Sequence, residues 1–469
     1  MSNSIRRACA RLLLALAGIP WLAPGVTQGA EPLGMHEASQ LALQHQPLLD
    51  GLAAQNRAAR EAAVAARQLP DPQLVAGVAD LPVNGDDAYS LQRDSDTQLQ
   101  LGLMQEFPRA EKRRLRGEQV EREAERLLAE RHLTERAIRR DTALAWLEVW
   151  RYLQLRALLD ASLREAEAQA QSAEINYRSG LATLAEVLAA RVSQARLQDE
   201  VAAAEQSITH ARNLLSRWIG DAAWRPLAAA PPAPPADPAL EAALQRLRRH
   251  PHLAELRARI AAADTGTALA RAEYRPDWRV EFGYGYRPAF SEMLMLRVGV
   301  DLPVFTGQRQ DRRLASALAQ REAAAAALAD GLRQHEAELR LNLEDRARLH
   351  RRLQYYDEQL LPQARQRTEA ALAGWRAARG TLAQVLEARR AELDLAMSRL
   401  DLVHDAAAHA VQLEYLGAYD GEGSSDQFLR HSGASRNPAT FKALDPGFRR
   451  GDELITEIPE VAGLENSHE

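Results

Sequence analysis

The chain has little cysteine, few aromatic residues and no excess of one charge. Of its 469 residues one is cysteine and 5% are aromatic, although 46% are hydrophobic. Its 59 basic and 64 acidic residues leave a net charge of -5, which argues against a nucleic-acid-binding protein, because such proteins normally carry a basic excess. The remaining composition, rich in Ala, Leu, Glu and Arg, is typical of long helices and coiled coils and favours an extended shape.

Residues 1–30 have the layout of a secretory signal peptide. The pair Arg6-Arg7 precedes an apolar run over residues 12–23, and small residues lead to Ala30, after which we expect cleavage. The run is too short to span a bilayer as a helix, which takes about 20 residues. Cys9 precedes the run and is therefore not placed to carry a lipid anchor, and the mature chain would have no cysteine for a disulfide.

Three landmarks occur twice in the same order, which indicates an internal duplication. The motif HQPL from His45 and the motif HPHL from His250 each precede a helical pattern that ends at a Pro-Asp pair. Further along, the segment YRSGLATLAEVLAAR from Tyr177 matches WRAARGTLAQVLEAR from Trp375. We therefore interpret the chain as two related halves.

Composition places the boundaries of these halves. The Pro-rich stretch over residues 226–238 indicates a stiff connector. It separates a first repeat, residues 31–225, from a second repeat, residues 239–420. Residues 421–469 lose helical periodicity and gain Gly, Ser, Asn and Pro, so we predict a disordered tail there.

Each repeat has the same predicted order of elements: a helix, two short strands and two long helices. Alternation of apolar and polar residues predicts strands at about 73–80, 97–104, 277–286 and 293–302. Long helices are predicted at about 109–176, 183–218, 309–374 and 381–416, with a turn at Gly180 or Gly380 between the two helices of each repeat. The first of them would span about 100 Å, and Pro362 predicts a kink in the third.

The second pair of strands carries an apolar, aromatic-rich face opposite a charged face. Two interpretations are open: an amphipathic hairpin packed on a soluble core, or strands with lipid on one side and water on the other. Strands of about ten residues suit a tilted crossing of the bilayer, and little of the chain remains to cover such a face, because nearly everything else indicates helix. We therefore predict that nine residues face lipid: Trp278, Val280, Phe282, Tyr284, Tyr286, Leu294, Leu296, Val298 and Val300.

The number of strands bears on how many copies of the chain assemble. Four strands cannot close a barrel, for which about eight is the practical minimum. The strands would therefore be pooled between subunits, and three copies would supply about twelve. No segment after the signal peptide approaches about 18 consecutive apolar residues, so entry into a membrane would have to use strands.

The signal peptide, the duplicated halves and the repeated tip segment together resemble the TolC family of outer-membrane efflux proteins over about residues 33–420. The stretch LPDPQLVAGVADLPVNGDDAYSLQRD, followed by QEFPRAEKRR, is similar to members associated with heavy-metal efflux systems. The resemblance implies a mainly α fold with a small transmembrane β part. A homotrimer would form a 12-strand β-barrel in the outer-membrane lipid and a long α-helical barrel across the periplasm.

The resemblance also implies partners and the residues that meet them. A periplasmic adaptor, also called a membrane fusion protein, and an inner-membrane pump of the resistance/nodulation/division (RND) class would dock at the lower end. The adaptor would contact the two helical tips at Tyr177, Gly180, Leu181, Thr183, Leu184, Trp375, Gly380, Thr381 and Leu382.

An entrance constriction is implied at Gln384, Glu387 and Arg376. Gln384 stands where the best-known family member has an acid, and Gly380 where it has an arginine, so gating by the same links is not expected. An ordinary solvated helix charge is the alternative interpretation of Glu387. Three copies of Glu387 on a narrow axis would favour cations.

We predict an exit duct that passes heavy-metal cations out of a tripartite efflux system. Alternatives are drug or solute efflux or type I protein secretion through the same tunnel, and a periplasmic coiled-coil scaffold or adaptor without a pore. The sequence lacks a Gly-rich phosphate loop, G-x-S-x-G, HExxH and clustered cysteines, so we expect no enzyme, cofactor or bound metal. His250 and His252 suggest a metal site, but three ligands are usual, and we interpret them as helix-start residues.

Overall fold

The computed structural model describes residues 32–44, 46–233 and 235–419. These residues belong to the first of two units in the chain, Met1–Asp420. The predicted signal peptide with its cleavage near Ala30, the single Cys9 and the predicted tail from Gly421 lie outside the described residues.

The first half consists of four helices with two strands inserted after the second helix. The helices are α1 Met35–Gln44, α2 Pro47–Ala66, α3 Ala110–Arg178 and α4 Leu184–Ile219, and a short 3₁₀ turn, Gly220–Trp224, follows α4. The strands are β1 Gln73–Ala79 and β2 Gln98–Phe107. Strand β2 therefore continues three residues beyond the sequence-based expectation of about 104.

The second half has the same order of elements. Its helices are α5 Leu240–Leu247, α6 Pro251–Ala272, α7 Gln310–Tyr355, α8 Leu361–Arg376 and α9 Leu382–Tyr415, with a π-helical segment, Tyr356–Leu360, between α7 and α8. Its strands are β3 Trp278–Tyr286 and β4 Met293–Val300. Strand β4 ends two residues before the predicted 302, and Leu302, Val304 and Phe305 are exposed in the connection to α7.

Helix α3 reaches 69 residues, about 100 Å at about 1.5 Å per residue. It contains no proline, and one glycine, Gly117, interrupts its helix-forming composition. Ion pairs one turn apart, such as Arg114 with Glu118 at 2.7 Å, line its surface and add a few tenths of a kcal/mol each. Within the described part of the chain, no helix is long and apolar enough to cross a membrane.

The helix that contains Pro362 is not broken there. Proline lacks the N–H that an α-helix needs at this position, and the chain adapts one turn earlier by forming the π-helical segment. The N–H of Leu361 accordingly bonds the carbonyl of Tyr356, five residues back. At the position of the predicted kink, the helical path is thus continuous and contains one widened turn. Helix α3 has no such widened turn.

The four strands form one antiparallel sheet in the order β1-β2-β3-β4. The central pair joins the two halves of the chain, with Leu99 opposite Tyr286 at one end and Phe107 opposite Trp278 at the other. Strands β1 and β4 form the edges of the described sheet. The sheet therefore connects the halves through β2 and β3 and leaves one edge strand from each half.

The core of the helical region is centred on Trp146 of α3, which is fully buried. Its indole N–H donates to the carbonyl of Leu33 at 3.0 Å, and Leu33 pairs in parallel with Leu227. Side chains from α1, α4 and α9 complete this cluster. The segments at both ends of the first half are therefore tied to the middle of α3.

Corresponding contacts fasten the start of the second helix of each half. Gln46, before Pro47, donates from its side-chain amide to the carbonyl of Trp218 near the end of α4, at 3.2 Å. His250, before Pro251, bonds the carbonyl of Tyr415 at the end of α9 through Nε2, at 3.1 Å. The two halves thus repeat a tertiary contact as well as an order of elements.

Candidate functional site

The tip of each long helical hairpin turns through the same backbone geometry. After α3, Gly180 adopts a left-handed conformation with φ 73°, and the N–H of Leu181 bonds the carbonyl of Asn176 at 2.8 Å. After α8, Ala378 has φ 55°, and the N–H of Arg379 bonds Gly374 at 2.8 Å. Both are Schellman-type helix ends. The second turn therefore uses Ala378 in the left-handed position, and not Gly380 as the sequence suggested.

Each returning helix begins with a reciprocal cap. Thr183 accepts the backbone N–H of Glu186 at 3.3 Å, and the Glu186 carboxylate accepts the N–H of Thr183 at 2.8 Å. Thr381 and Gln384 form the same pair at 3.3 and 3.1 Å. The spacing of Thr followed three residues later by Glu or Gln is a capping-box signature that the sequence shows openly. Thr183, Thr381 and Gln384 therefore stabilise the tip turns.

Leu382 differs from the expectation that it meets a partner. It is 1% exposed and packs in a cluster with Val385 and with Ala170, Ala173 and Val187 of the first hairpin. Its counterpart in the repeated segment, Leu184, is 53% exposed. The side chain of Leu382 therefore holds the two hairpins together and is not available at the surface.

The exposed surfaces of the two tips differ in chemistry. On the first tip Leu181 is 80% exposed, and Leu184, Leu188 and Val192 continue an exposed apolar stripe along α4. The four-residue spacing puts Leu184, Leu188 and Val192 on one face of α4, and Leu181 lies in the turn before that helix. At the positions that match Leu181 and Val192, the second tip has Arg379 and Arg390, both exposed. We call the row from Leu181 to Val192 the first-tip stripe.

The remaining predicted tip residues differ in how far they are exposed to solvent. Tyr177 is exposed at the end of α3, and its counterpart Trp375 is half-buried against the cluster between the hairpins. Gly380 is half-buried, and a Cβ built on it would lie 3.2 Å from the side-chain oxygen of Gln384. A side chain at position 380 would therefore press on the cap of α9.

The three predicted constriction residues have different environments. Gln384 is engaged in the cap of α9, as described above. Glu387 is exposed and accepts a hydrogen bond from Arg367 of α8 at 2.6 Å, and Arg376 is exposed at the end of α8. Because both partners of the Glu387–Arg367 pair are solvent-exposed, this pair contributes little to stability.

The predicted lipid-facing residues share one face of the sheet. In the register of β3 and β4, Trp278 lies opposite Val300, Val280 opposite Val298, Phe282 opposite Leu296 and Tyr284 opposite Leu294. All of these side chains, with Tyr286, are exposed or half-buried in the single chain. An exposed apolar face of this size is unusual on a folded subunit and marks a surface that another medium or molecule covers.

The opposite face of the sheet is polar and closely packed. Glu281 and Arg297, paired across β3 and β4, form an ion pair at 2.9 Å. Long side chains lie over glycines on neighbouring strands: a Cβ on Gly285 would approach the side-chain oxygen of Gln98 to 2.0 Å, and one on Gly299 would approach Arg279 to 2.6 Å. One face of the sheet is thus apolar, and the other carries polar and charged side chains.

His250 is a helix-start residue, as the sequence suggested. It is the N-cap of α6, and its ring accepts the backbone N–H of His252. The sequence did not reveal its second contact, the carbonyl of Tyr415, because that contact joins residues 165 positions apart.

Known proteins share both part of this sequence and the fold. The model of the family described as outer membrane efflux protein matches residues 38–221. The solved structure of CusC, studied for folding and transmembrane channel formation, has a TM-score of 0.70 at 15% identity, over 82% of this chain and 92% of CusC. VceC, an outer membrane protein of Vibrio cholerae, has a TM-score of 0.67 at 22% identity, over 82% and 95%.

The CmeC outer membrane channel of Campylobacter jejuni has a TM-score of 0.70 at 12% identity, over 85% of this chain and 89% of CmeC. No match was found among curated proteins. The fold is therefore that of the TolC-like outer-membrane channels. The family match over residues 38–221 and the shared fold are what the chain has in common with these channels. CusC, VceC and CmeC match to a similar degree, so the comparisons single out no subgroup.

Proposed function

We propose that three copies of this chain form the outer-membrane exit duct of a tripartite efflux system. The sheets would combine into a 12-strand barrel in the outer membrane, and the helices would form a tunnel in the periplasm. A periplasmic adaptor would meet the tips, and an RND-type pump in the inner membrane would supply the substrates. Heavy-metal cations are the substrate class that we propose, and drugs or secreted proteins are the alternatives.

The observation that carries this proposal is the exposed apolar face of the sheet. The same chain contains helix α3, which is about 100 Å long. Leu294 and Leu296 are about 70% exposed, and burial of apolar area of this kind contributes about 25 cal/mol per Å². The described part of the chain has no element that packs on this face. Lipid would cover it, while the polar face with Glu281 and Arg297 would line a water-filled interior.

The edges of the sheet and the edges of the helical layer support assembly by copies of the same chain. Strands β1 and β4 are sheet edges whose backbone groups can pair with another strand. Within the described residues α3 packs on α4 and α9, α9 packs on α7, and α4 does not contact α7. The helical layer therefore also has two open edges. Joining β4 to β1, and α7 to α4, of successive copies would close both layers together.

Substitutions on the two faces of the sheet test the membrane part of the proposal. Leu296→Arg puts a charge on the lipid-facing side and should cost about 2–4 kcal/mol if that side chain lies near the bilayer midplane. The assembled trimer should resist detergent until it is heated. We expect the amount of this trimer, measured by electrophoresis of outer-membrane fractions, to fall strongly in the variant. Met104→Arg is the matched control, because Met104 lies opposite Glu281 on the polar face.

We expect Met104→Arg to assemble and to change the conductance in planar bilayers. Equal assembly of both variants would contradict the assignment of the faces. Release of the wild-type protein by washing without detergent, as a monomer that does not respond to heating, would favour the alternative of a scaffold or adaptor without a pore.

The substrate class needs a separate experiment, because a duct follows the selection made by its pump. We expect deletion of the gene to lower tolerance to at least one of copper, silver, zinc, cobalt and cadmium. Re-expression of the wild-type chain should restore the tolerance, and re-expression of Leu296→Arg should not. Unchanged tolerance to all five metals, together with lowered tolerance to drugs, would favour the drug-efflux alternative.

A further inference from the structure

Three histidines meet where α6, α7 and α9 join. His250 and His335 are buried, with ring centroids 4.7 Å apart. Nδ1 of His252 lies 2.9 Å from Nε2 of His335, and the His250 ring meets the ring of Tyr415 edge-on at 5.1 Å. This cluster connects the start of α6 to the middle of α7 and to the end of α9.

The hydrogen bonds of His250 require a neutral ring. Nε2 lies 3.1 Å from the carbonyl of Tyr415, which can only accept, so Nε2 carries the hydrogen. Nδ1 accepts the backbone N–H of His252 at 3.3 Å and therefore has none. A proton added at Nδ1 would point at that N–H and remove the cap of α6.

The contact between His252 and His335 requires that at least one of the two rings be neutral. Nδ1 of His335 lies 3.1 Å from the carboxylate of Glu338, which accepts its hydrogen. Nε2 of His335 is then the acceptor, and Nδ1 of His252 is the donor. A second proton on this pair would set two N–H groups and two positive charges against each other at 2.9 Å.

Charged groups of both signs face the cluster. Arg136 of α3 faces His250 and adds positive charge. On α6, Glu255 and Arg259 face His252, but Glu255 is already bonded to Arg259 at 2.5 Å and to Arg126 of α3 at 3.4 Å. Glu338 of α7 faces both His252 and His335. Helix α9 contributes Tyr415.

The titration of the buried rings agrees with their hydrogen bonds. Burial, with His335 and Arg136 nearby, lowers the pKa of His250 to about 3. Burial and the neighbouring His335 also lower the pKa of His252. Within the described residues no group of three or more His, Cys, Asp or Glu side chains is placed to hold a metal ion.

Among the described residues, the first half has a corresponding junction with Gln46 in place of the histidine. Aligned on Pro47 and Pro251, Gln46 corresponds to His250, and it makes the equivalent bond to the carbonyl of Trp218. The position of His252 is occupied by Leu48, which is exposed. Proton uptake by a ring at the N-cap position can therefore disturb the junction of the second half, whereas Gln46 at the same position of the first half takes up no proton.

We infer that His250, His252 and His335 form an acid-sensitive latch, which fastens α6 to α7 and α9 when neutral and loosens when it takes up protons. The three histidines all lie in the second half. The latch does not depend on the proposed efflux function, because it concerns contacts within a single chain.

The sign of the pH effect follows from the depressed pKa values. A histidine freed by opening has a pKa of about 6.5, above its value in the closed junction, so the open state binds more protons below about pH 6.5. The closed latch is therefore most stable above about pH 6.5 and weakens as the pH falls. Each histidine that gains a proton on opening favours the open state by about tenfold per pH unit.

Hydrogen exchange of the full-length protein in detergent, corrected for intrinsic rates, tests the latch at pH 7.5 and 5.0. We expect amides near His252, His335 and Tyr415 to open at least about tenfold more often at pH 5.0. Amides near Leu49 and Trp218 should keep their protection. Equal acid response in both halves, or none in either, would overturn the inference.

Two exchanges between the halves sharpen the test. His250→Gln installs the residue of the first half, so the bond to Tyr415 should persist and the acid response should fall by at least about tenfold. Gln46→His should give the Trp218 junction an acid response that it lacks in the wild type. A wild-type acid response in His250→Gln, with Gln46→His still insensitive, would show that the His250 ring is not the sensor and would contradict the latch as stated.

Discussion

Ala378 occupies a left-handed backbone conformation, with φ 55°, that its counterpart Gly180 adopts without a side chain. The Cβ of an L-residue in this region costs about 1–2 kcal/mol. The bonds of the turn, from Arg379 to Gly374 and from Ala378 to Trp375, hold the conformation in place. The second tip is therefore strained where the first is relaxed.

Ala378→Gly should stabilise the second turn by roughly 0.5–1 kcal/mol, because it removes this strain but increases the freedom of the unfolded chain. The amide of Arg379 should exchange about two- to fivefold more slowly, measured by residue-resolved hydrogen exchange. Gly180→Ala is the reciprocal control and should speed exchange at Leu181. Faster exchange at Arg379 in Ala378→Gly would mean that Ala378 is not strained.

The residue scale also shows where the sequence was misleading. Leu184 and Leu382 stand at the same place in the repeated segment, and the resemblance assigned both to adaptor contact. Leu382 is buried between the hairpins, while Leu184 remains exposed in the first-tip stripe. Identical local sequence cannot distinguish them, because burial depends on which helix packs against the turn.

At the scale of elements, the periodicity of the sequence was informative. Long runs without proline favoured α3, and alternation with period two indicated β3, because both signals are properties of consecutive residues. The widened turn before α8 depends on more than the pattern of consecutive residues. Pro362 removes one hydrogen bond, and the neighbouring turn decides whether the helix breaks or widens. Here the π-helical segment keeps the path continuous, and Arg399 of α9 fixes it by bonding Asp357 through two nitrogens, at 2.5 and 3.1 Å.

At the scale of the whole molecule, the proposed trimer would bring three copies of Gln384 and Glu387 to one entrance. Glu186, the counterpart of Gln384, makes the same cap with a carboxylate. Gln384→Glu should therefore preserve the turn while adding three negative charges to the proposed entrance. We expect the ratio of K⁺ to Cl⁻ permeability in planar bilayers to rise by about twofold or more.

Glu387→Gln is the control with the opposite sign, since it removes a carboxylate from the same region and should lower that ratio. Circular dichroism and heat-dependent electrophoresis would verify that both variants assemble. An unchanged ratio in two well-assembled variants would show that these positions lie away from the narrowest part of the duct.

The sequence by itself determined the duplication, the order of helices and strands, the apolar face of the second strand pair and the resemblance to the TolC family, because these follow from local spacing and repeated motifs. The tertiary structure decided that Leu382 is buried, that Ala378 takes the left-handed position and that His250 stays neutral against Tyr415. For Leu382 and His250 the physical reason is distance along the chain, whereas the turn at Ala378 is held by bonds within its own segment. Burial and proton affinity depend on neighbours more than 100 residues away, as His250 and Tyr415 are, at a separation of 165 positions.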